Sequence, residues 1–304
     1  MKMKDLLLSI QGGGIRGIIP CLALAALEQQ TGKLTREIFD WVGGTSTGAL
    51  LAATVAAGIP ASESLKVYVE HGPEIFHPLP DWQRKLCLIE YGRQFDNAVL
   101  NRVVKGTLGD EAAMQINDSP VNLMIVAGNM RGDPCYFVKD TPANKQITGK
   151  AFLLDAAVAS ACATTYHDPW LISGFGHFAD GGCVSLADPV YELCVEAFAG
   201  PMCYGDIDPA GARVISLGTG FYRPMAMPMP PDNLLENIKW VTGSLVGSSK
   251  TLAVQAVMRH WPGILSVYNP AIPDIDEAAV DQIPALLEIG RQQAAQMDWL
   301  KILA

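Results

Sequence analysis

Short, unbroken apolar runs alternate along this chain with longer stretches in which apolar residues recur every three or four positions. The short runs lie at Asp5–Ile10, Glu37–Val42, Val121–Gly128, Cys135–Lys139, His177–Asp180 and Arg213–Leu217. Several run directly into glycine, and their length and β-branched content predict buried strands. The periodic stretches predict helices at Gly17–Gln30, Ser46–Ala57, Ser62–His71, Asn97–Leu108, Phe152–Ala163, Asp188–Phe198, Asn233–Arg259 and Pro284–Leu303. Strand, glycine turn and helix in succession predict an α/β layer fold around a largely parallel sheet. No internal repeat, low-complexity tract or linker breaks the order. The expectation is therefore a single domain over residues 1–304, with 221–304 forming a helical part packed on the rest. The Met/Pro-rich segment 224–231 interrupts the pattern, since its prolines exclude a helix interior or a central strand. It reads either as a surface connection or as an adaptable rim over an acyl-binding groove.

Composition narrows the function classes. With 49% hydrophobic and 17% charged residues, disorder is excluded. Lys+Arg 22 against Asp+Glu 31 leaves a net charge of −9, so no basic footprint for nucleic acid exists. Lipid contact would have to be apolar or local rather than a general attraction to an anionic bilayer. Seven cysteines without a C-x-x-C pair suggest neither a disulfide framework nor a zinc cage, and fit a reduced, cytoplasmic setting. The N-terminal apolar stretch is too short for a signal peptide, and the run Ala49–Ile59 is too short to span a bilayer. The expectation is a soluble protein.

Two glycine clusters carry the candidate chemistry. Gly12-Gly13-Gly14-Ile15-Arg16-Gly17 follows the first strand and opens a helix, satisfying G-x-G-x-x-G. One reading is a dinucleotide fingerprint, with Glu37 or Asp40 as the ribose-binding acid. Another is a structural turn. A third is a cradle of backbone N–H groups for the oxyanion of a tetrahedral acyl intermediate. The second cluster, Gly43-Gly44-Thr45-Ser46-Thr47-Gly48, follows the second strand and leads into the apolar helix beginning near Ala49. This is G-x-S-x-G in the strand–turn–helix context of a nucleophile elbow, with Gly44 and Gly48 at positions too tight for side chains. The alternative is a Ser/Thr-rich helix cap.

A serine hydroxyl needs a neighbour to take its proton. In the Ser…Asp…His order the base would be His260, but that residue ends a helix and reads as a cationic cap. Asp180, followed by Gly181 and Gly182, ends a strand at an abrupt turn for which the two glycines allow positive φ. Such a turn would present the acid at the same sheet edge as Ser46; the plainer reading is an ordinary Asp-Gly turn.

The triple-glycine loop with Arg16, the Gly44–Gly48 elbow and Asp180-Gly181-Gly182 together resemble the patatin-like phospholipases. Ala157–Tyr166 and Ser216–Gly220 extend the likeness, which spans roughly Leu6 to Gly220. The resemblance implies a three-layer αβα patatin-like fold with a mainly parallel central sheet. It implies Ser46 as nucleophile and Asp180 as its dyad partner without a histidine. The amides of Gly12, Gly13 and Gly14 would form the oxyanion hole, with Arg16 and Thr47 supporting the loop and substrate. Gln11 stands where many members carry Asp, and Thr165 where many carry proline. The implied activity is hydrolysis of glycerolipid acyl esters through an acyl-enzyme. Its partners would be a phospholipid or other acyl-ester lipid, with transient membrane contact. No cofactor and no metal are implied: neither an acidic calcium loop nor a His/Cys cage is present in the pattern. The alternatives are a nucleotide-binding oxidoreductase, and a catalytically silent or ligand-gated patatin-like protein.

Overall fold

Side chains alternate across a strand, so Leu6, Leu8 and Ile10 of β1 (Leu6–Ile10) face one side of the sheet while Leu7 and Ser9 face the other. In the computed structural model, which describes residues 5–77, 81–222 and 232–304, β1 lies in the interior of an eight-stranded sheet. The segment 224–231 lies outside the described residues.

The helices, in chain order, are α1 (Ile18–Thr31), α2 (Thr47–Ala57), α3 (Ala61–Ile75), α4 (Asp81–Tyr91), α5 (Asn97–Leu108), α6 (Leu153–Ala161), α7 (Val190–Ala197), α8 (Leu234–His260), α9 (Ile283–Gln296) and α10 (Trp299–Leu303). Five strands run parallel in the order β3 (Asn122–Asn129), β2 (Trp41–Thr45), β1, β7 (Arg213–Leu217), β8 (Leu265–Tyr268). Three join antiparallel around β3: β4 (Pro134–Val138), β6 (Gly176–Asp180) and, beyond β6, β5 (Trp170–Ile172). One core packs α1, α2, α5 and α6 on Leu8, Ile10, Val42, Leu123 and Ile125. The opposite core packs α7 and Val257 of α8 on Leu7, Met124, Val126 and Val214. The sheet is therefore flanked by helices on both faces, as expected for strands with unbroken apolar runs.

One junction positions the site. β2 and β4 overlap along β3 at Met124–Val126, so they occupy opposite edges of that strand. β6 pairs with Ala127–Asn129, where β4 holds the other edge, so it continues the edge that β2 leaves. The parallel β2 ends at Thr45 opposite Val126, and the antiparallel β6 ends at Asp180 opposite Ala127. The two strands meet head to head on β3.

Several expectations are corrected. The second strand is Trp41–Thr45 rather than Glu37–Val42: Thr35–Glu37 form a 3-10 turn in which the Glu37 carboxylate accepts the Leu34 N–H at 2.7 Å. The strand then runs through Gly43 and Gly44, which low β-propensity hides from a sequence reading. The final helix breaks in two at Met297 and Asp298, where Asp298 caps the Lys301 N–H. Residues 221–304 contribute β8 to the sheet as well as helices, and the 269–278 loop packs Ile272 and Ile275 against Ile15, Ile18 and Ile19. Among the described residues, no helix is long and apolar enough to cross a membrane.

Candidate active site

Ser46 sits between β2 and α2 with φ 57° and ψ −127°. Non-glycine residues held in such a region cost of order 1–3 kcal/mol and persist only where the surroundings enforce them. Here the Ser46 N–H donates to Ser160 Oγ at 2.9 Å, and that hydroxyl donates to the Val126 carbonyl at 2.5 Å. The Ser46 carbonyl meanwhile accepts the first turn of α2. The flanking glycines make the bend possible: a Cβ on Gly44 would lie 2.1 Å from the Gly48 carbonyl oxygen, and one on Gly48 2.1 Å from that of Ile10. Gly48→Ala is accordingly expected to destabilise the fold by about 3 kcal/mol or more, because backbone on both sides must move. Chemical denaturation measures this, and a loss under about 1 kcal/mol would show that the elbow relaxes easily.

Asp180 comes to Ser46 through the head-to-head junction. Its N–H donates to the Cys162 carbonyl at 2.9 Å, and its Oδ1 accepts the Gly182 N–H at 2.7 Å. The carboxyl is buried, and desolvation pushes its pKa up from 3.8 to about 7, with the Ser46 hydroxyl and the Gly182 amide pulling the other way as hydrogen-bonding partners. The positive φ expected after Asp180 is absent: Gly181–Val184 form a 3-10 turn, and the left-handed residue is Ser185 at φ 62°. Gly181 is instead a close-approach residue, since a Cβ there would lie 2.7 Å from the Val126 carbonyl oxygen.

The segment after Asp180 ties the two glycine clusters together. Thr45 Oγ1 donates to the Leu186 carbonyl at 2.7 Å, and the Gly12 N–H to that of Ala187 at 2.9 Å. Asp188 accepts from Ser9 Oγ, Gln11 Nε2 and Ser216 Oγ. The Gln11 amide thus serves as a donor to Asp188, which an aspartate at position 11 would instead face as a second carboxylate. Thr165 has φ 76°, a value that the proline ring forbids.

In the glycine loop, the Gly12 amide, expected as an oxyanion donor, is committed to Ala187. The Gly13 and Gly14 amides have no acceptor among the described residues, and the Ile15 N–H donates to the Glu277 carbonyl at 2.8 Å. Arg16 donates from Nε to the Gly13 carbonyl at 3.3 Å and pairs with Glu277. The Gly13 carbonyl and the Gly14 N–H belong to one planar peptide and point in opposite directions. Holding the former therefore orients the latter. Thr47 is buried, its hydroxyl bonded to the Tyr68 hydroxyl beside Gly17, so it braces the loop from below.

An apolar cavity reaches Ser46, enclosing about 860 Å³ including its open mouth, between α2, α3, α5 and the Ala161–His167 segment. Its α2 wall runs from Ser46 to Thr54, about 12 Å of helix at ~1.5 Å per residue. The dinucleotide reading fares poorly against this arrangement. Asp40 accepts the Leu6 N–H and Glu37 the Leu34 N–H, and the Gly12, Ile15 and Arg16 amides of the glycine loop are already bonded. His260 is exposed, with its Nδ1 on the Ala256 carbonyl of its own helix, and is no partner of Ser46.

The model of the family described as patatin-like phospholipase matches residues 8–192, which include Ser46 and Asp180. The chain belongs to the patatin-like phospholipase family. Within it, the chain is similar to the cGAMP-activated phospholipase of Escherichia coli (strain TW11681), 30% identical over 229 residues, 72% of this chain and 63% of the relative. It is also similar to Patatin-17 of Solanum cardiophyllum, 30% identical over 206 residues, 60% of this chain and 50% of the relative. The matches thus span half to under two thirds of these relatives. Among solved structures, VipD from Legionella pneumophila aligns over 99% of this chain and 67% of its own, at 12% identity and a TM-score of 0.47.

Several contacts around this patatin-like site carry no sequence signal. Ser160 lies in the Ala157–Tyr166 stretch, but nothing there marks its bond to Ser46; Glu277 lies in an unremarked loop, and Lys250 within a long helix whose pattern marks no inward-facing cation. Only contact across the fold reveals them.

Proposed function

We propose that the protein is a serine lipid acyl hydrolase of the phospholipase A or lysophospholipase type, acting through an acyl-enzyme on Ser46. The observation that carries the reading is a strained serine beside a buried carboxylate of raised pKa, with two amides nearby that have no acceptor among the described residues and an apolar cavity at hand. Asp180 takes the Ser46 proton as Oγ attacks the ester carbonyl, and the C=O pair moves onto oxygen. The Gly13 and Gly14 amides stabilise that oxyanion. The carbonyl re-forms as the alcohol leaves, protonated by Asp180. Water, deprotonated by Asp180, then attacks the acyl-Ser46 ester; release of the fatty acid restores the hydroxyl. A pKa near 7 suits Asp180 to both transfers, because a base works best when its affinity lies near the working pH. The cavity takes the acyl chain from a membrane surface in transient contact.

The test is incubation with a fluorescent phosphonate probe and with phospholipid and lysophospholipid vesicles. A parallel arm adds cGAMP, because the Escherichia coli relative bears that activator in its name. Fatty-acid release and an adduct mapped by mass spectrometry to Ser46 are expected. An adduct on another residue, or no release in either arm, overturns the reading.

A further inference from the structure

Lys250, on α8 and half-buried, projects its ammonium into the site from the C-terminal third of the chain. Its Nζ donates to the Gly12 carbonyl at 2.6 Å and to Thr219 Oγ1 at 3.3 Å. The Ser46–Asp180 chemistry described above makes no use of it. Nor does the Gly12 carbonyl need it for satisfaction, since Thr219 Oγ1 already donates there at 2.8 Å. Burying a charge is costly even when it is paired, so a second donor to an already bonded carbonyl is a poor stability device.

The peptide plane supplies a reason. The Gly12 carbonyl and the Gly13 N–H belong to the same trans peptide and point in opposite directions. Whatever holds the carbonyl aims the N–H. A cation on the carbonyl also polarises the peptide and strengthens its N–H as a donor. Arg16 does this to the next peptide by holding the Gly13 carbonyl, which aims the Gly14 N–H. The two loop amides without an acceptor among the described residues are thus each backed by a cation. We propose that Lys250 is a positioning residue for the oxyanion loop, gripping the Gly12 carbonyl so that the Gly13 N–H is aimed at, and polarised toward, the oxygen of the attacked acyl group. This inference rests on Ser46 being the nucleophile.

Four charged groups bear on the ammonium: Glu277, Asp188 and Asp180 favour it, Arg16 opposes it, and burial outweighs them to lower its pKa from 10.5 to about 8. The positive charge is therefore present below about pH 8 and lost above it.

The experiment compares wild type with Lys250→Met, Lys250→Ala and Ser46→Ala on a soluble acyl ester, with circular dichroism confirming the fold. In Lys250→Met, kcat is expected to fall by about 10²-fold with KM within about threefold, because the grip matters most when the oxyanion forms. Methylammonium is expected to restore at least tenfold of the activity of Lys250→Ala, and neutral methanol to restore none. The wild-type kcat is expected to decline as pH rises through about 8, with no such limb in Lys250→Met. A residue that served packing alone would give neither the amine rescue nor the pH limb. A kcat for Lys250→Met within threefold of wild type, while Ser46→Ala is inactive, overturns the role of Lys250 and leaves the serine mechanism standing. Undiminished turnover by Ser46→Ala sinks the mechanism and, with it, this inference. Should the lysine variants fail to fold, a wild-type kcat that stays level from about pH 8 to 10 overturns the proposal.

Discussion

Ser46→Ala is expected to abolish phosphonate labelling and to lower kcat by about 10⁵–10⁶-fold, the order seen when a hydrolase loses a nucleophile that acts as a unit with its base. Residual turnover would come from the Gly13 and Gly14 amides and the acyl cavity alone. The substitution keeps the Cβ and removes only a hydroxyl, so the backbone at φ 57° and its bond to Ser160 stay in place. Unfolding free energy is therefore expected to change by less than about 1 kcal/mol. Measuring both quantities on one preparation separates lost chemistry from lost structure. A variant that keeps a tenth of its activity when folded would rule Ser46 out as the nucleophile.

Asp180→Asn is expected to cost activity on a similar scale, about 10⁴-fold or more, with the Ser46→Ala, Asp180→Asn double variant scarcely worse than either alone. The same change is expected to stabilise the protein. Burial raises this carboxyl from 3.8 to about 7, so the folded state holds the proton more tightly than the unfolded chain does. Its favourable contribution is complete below about pH 4 and is lost as pH rises through about 7. At ~1.4 kcal/mol per tenfold change in proton affinity, keeping the bare carboxylate buried costs the folded state on the order of 4 kcal/mol above neutrality. The amide escapes that cost while losing some hydrogen bonding. Asp180→Asn is therefore expected to unfold at least about 2 °C higher than wild type at pH 8, the gap closing towards pH 4. A Tm lower than wild type at pH 8 would show that the carboxylate is not destabilising the fold. The wild-type acid limb of kcat/KM, rising with pH through about 7, reads the same group.

How much of this was legible depended on whether the constraint was local. The elbow was visible as a G-x-S-x-G turn after a strand, in which Gly44 abuts the Gly48 carbonyl locally, although Gly48 answers to the Ile10 carbonyl of β1. Asp180 was visible as an acid at a glycine turn, although the reason for the glycines was misjudged: Gly181 answers to the Val126 carbonyl on another strand, not to its own φ. β8 is a four-residue edge strand with two exposed positions, and β5 has three residues, too little pattern for either to register. β2 was displaced because the strand is glycine-rich where it matters. The Gly12 amide, expected as an oxyanion donor, is taken by Ala187, a contact between residues far apart in sequence that the local pattern does not show. Lys250 and Glu277 were invisible for the same reason, since a cation in a helix becomes an inward-facing one only through the partner it meets.

The head-to-head meeting of β2 and β6 on β3, with the glycine loop gripped from beyond residue 245, has a consequence for biosynthesis. Ser46 leaves the ribosome well before the strand that brings its acid, and earlier still than the helix that braces its amide cradle. Under the proposed chemistry, a nascent chain that has released Ser46 but not β6 carries the alcohol without its base, so ester cleavage waits on the docking of β6 against β3.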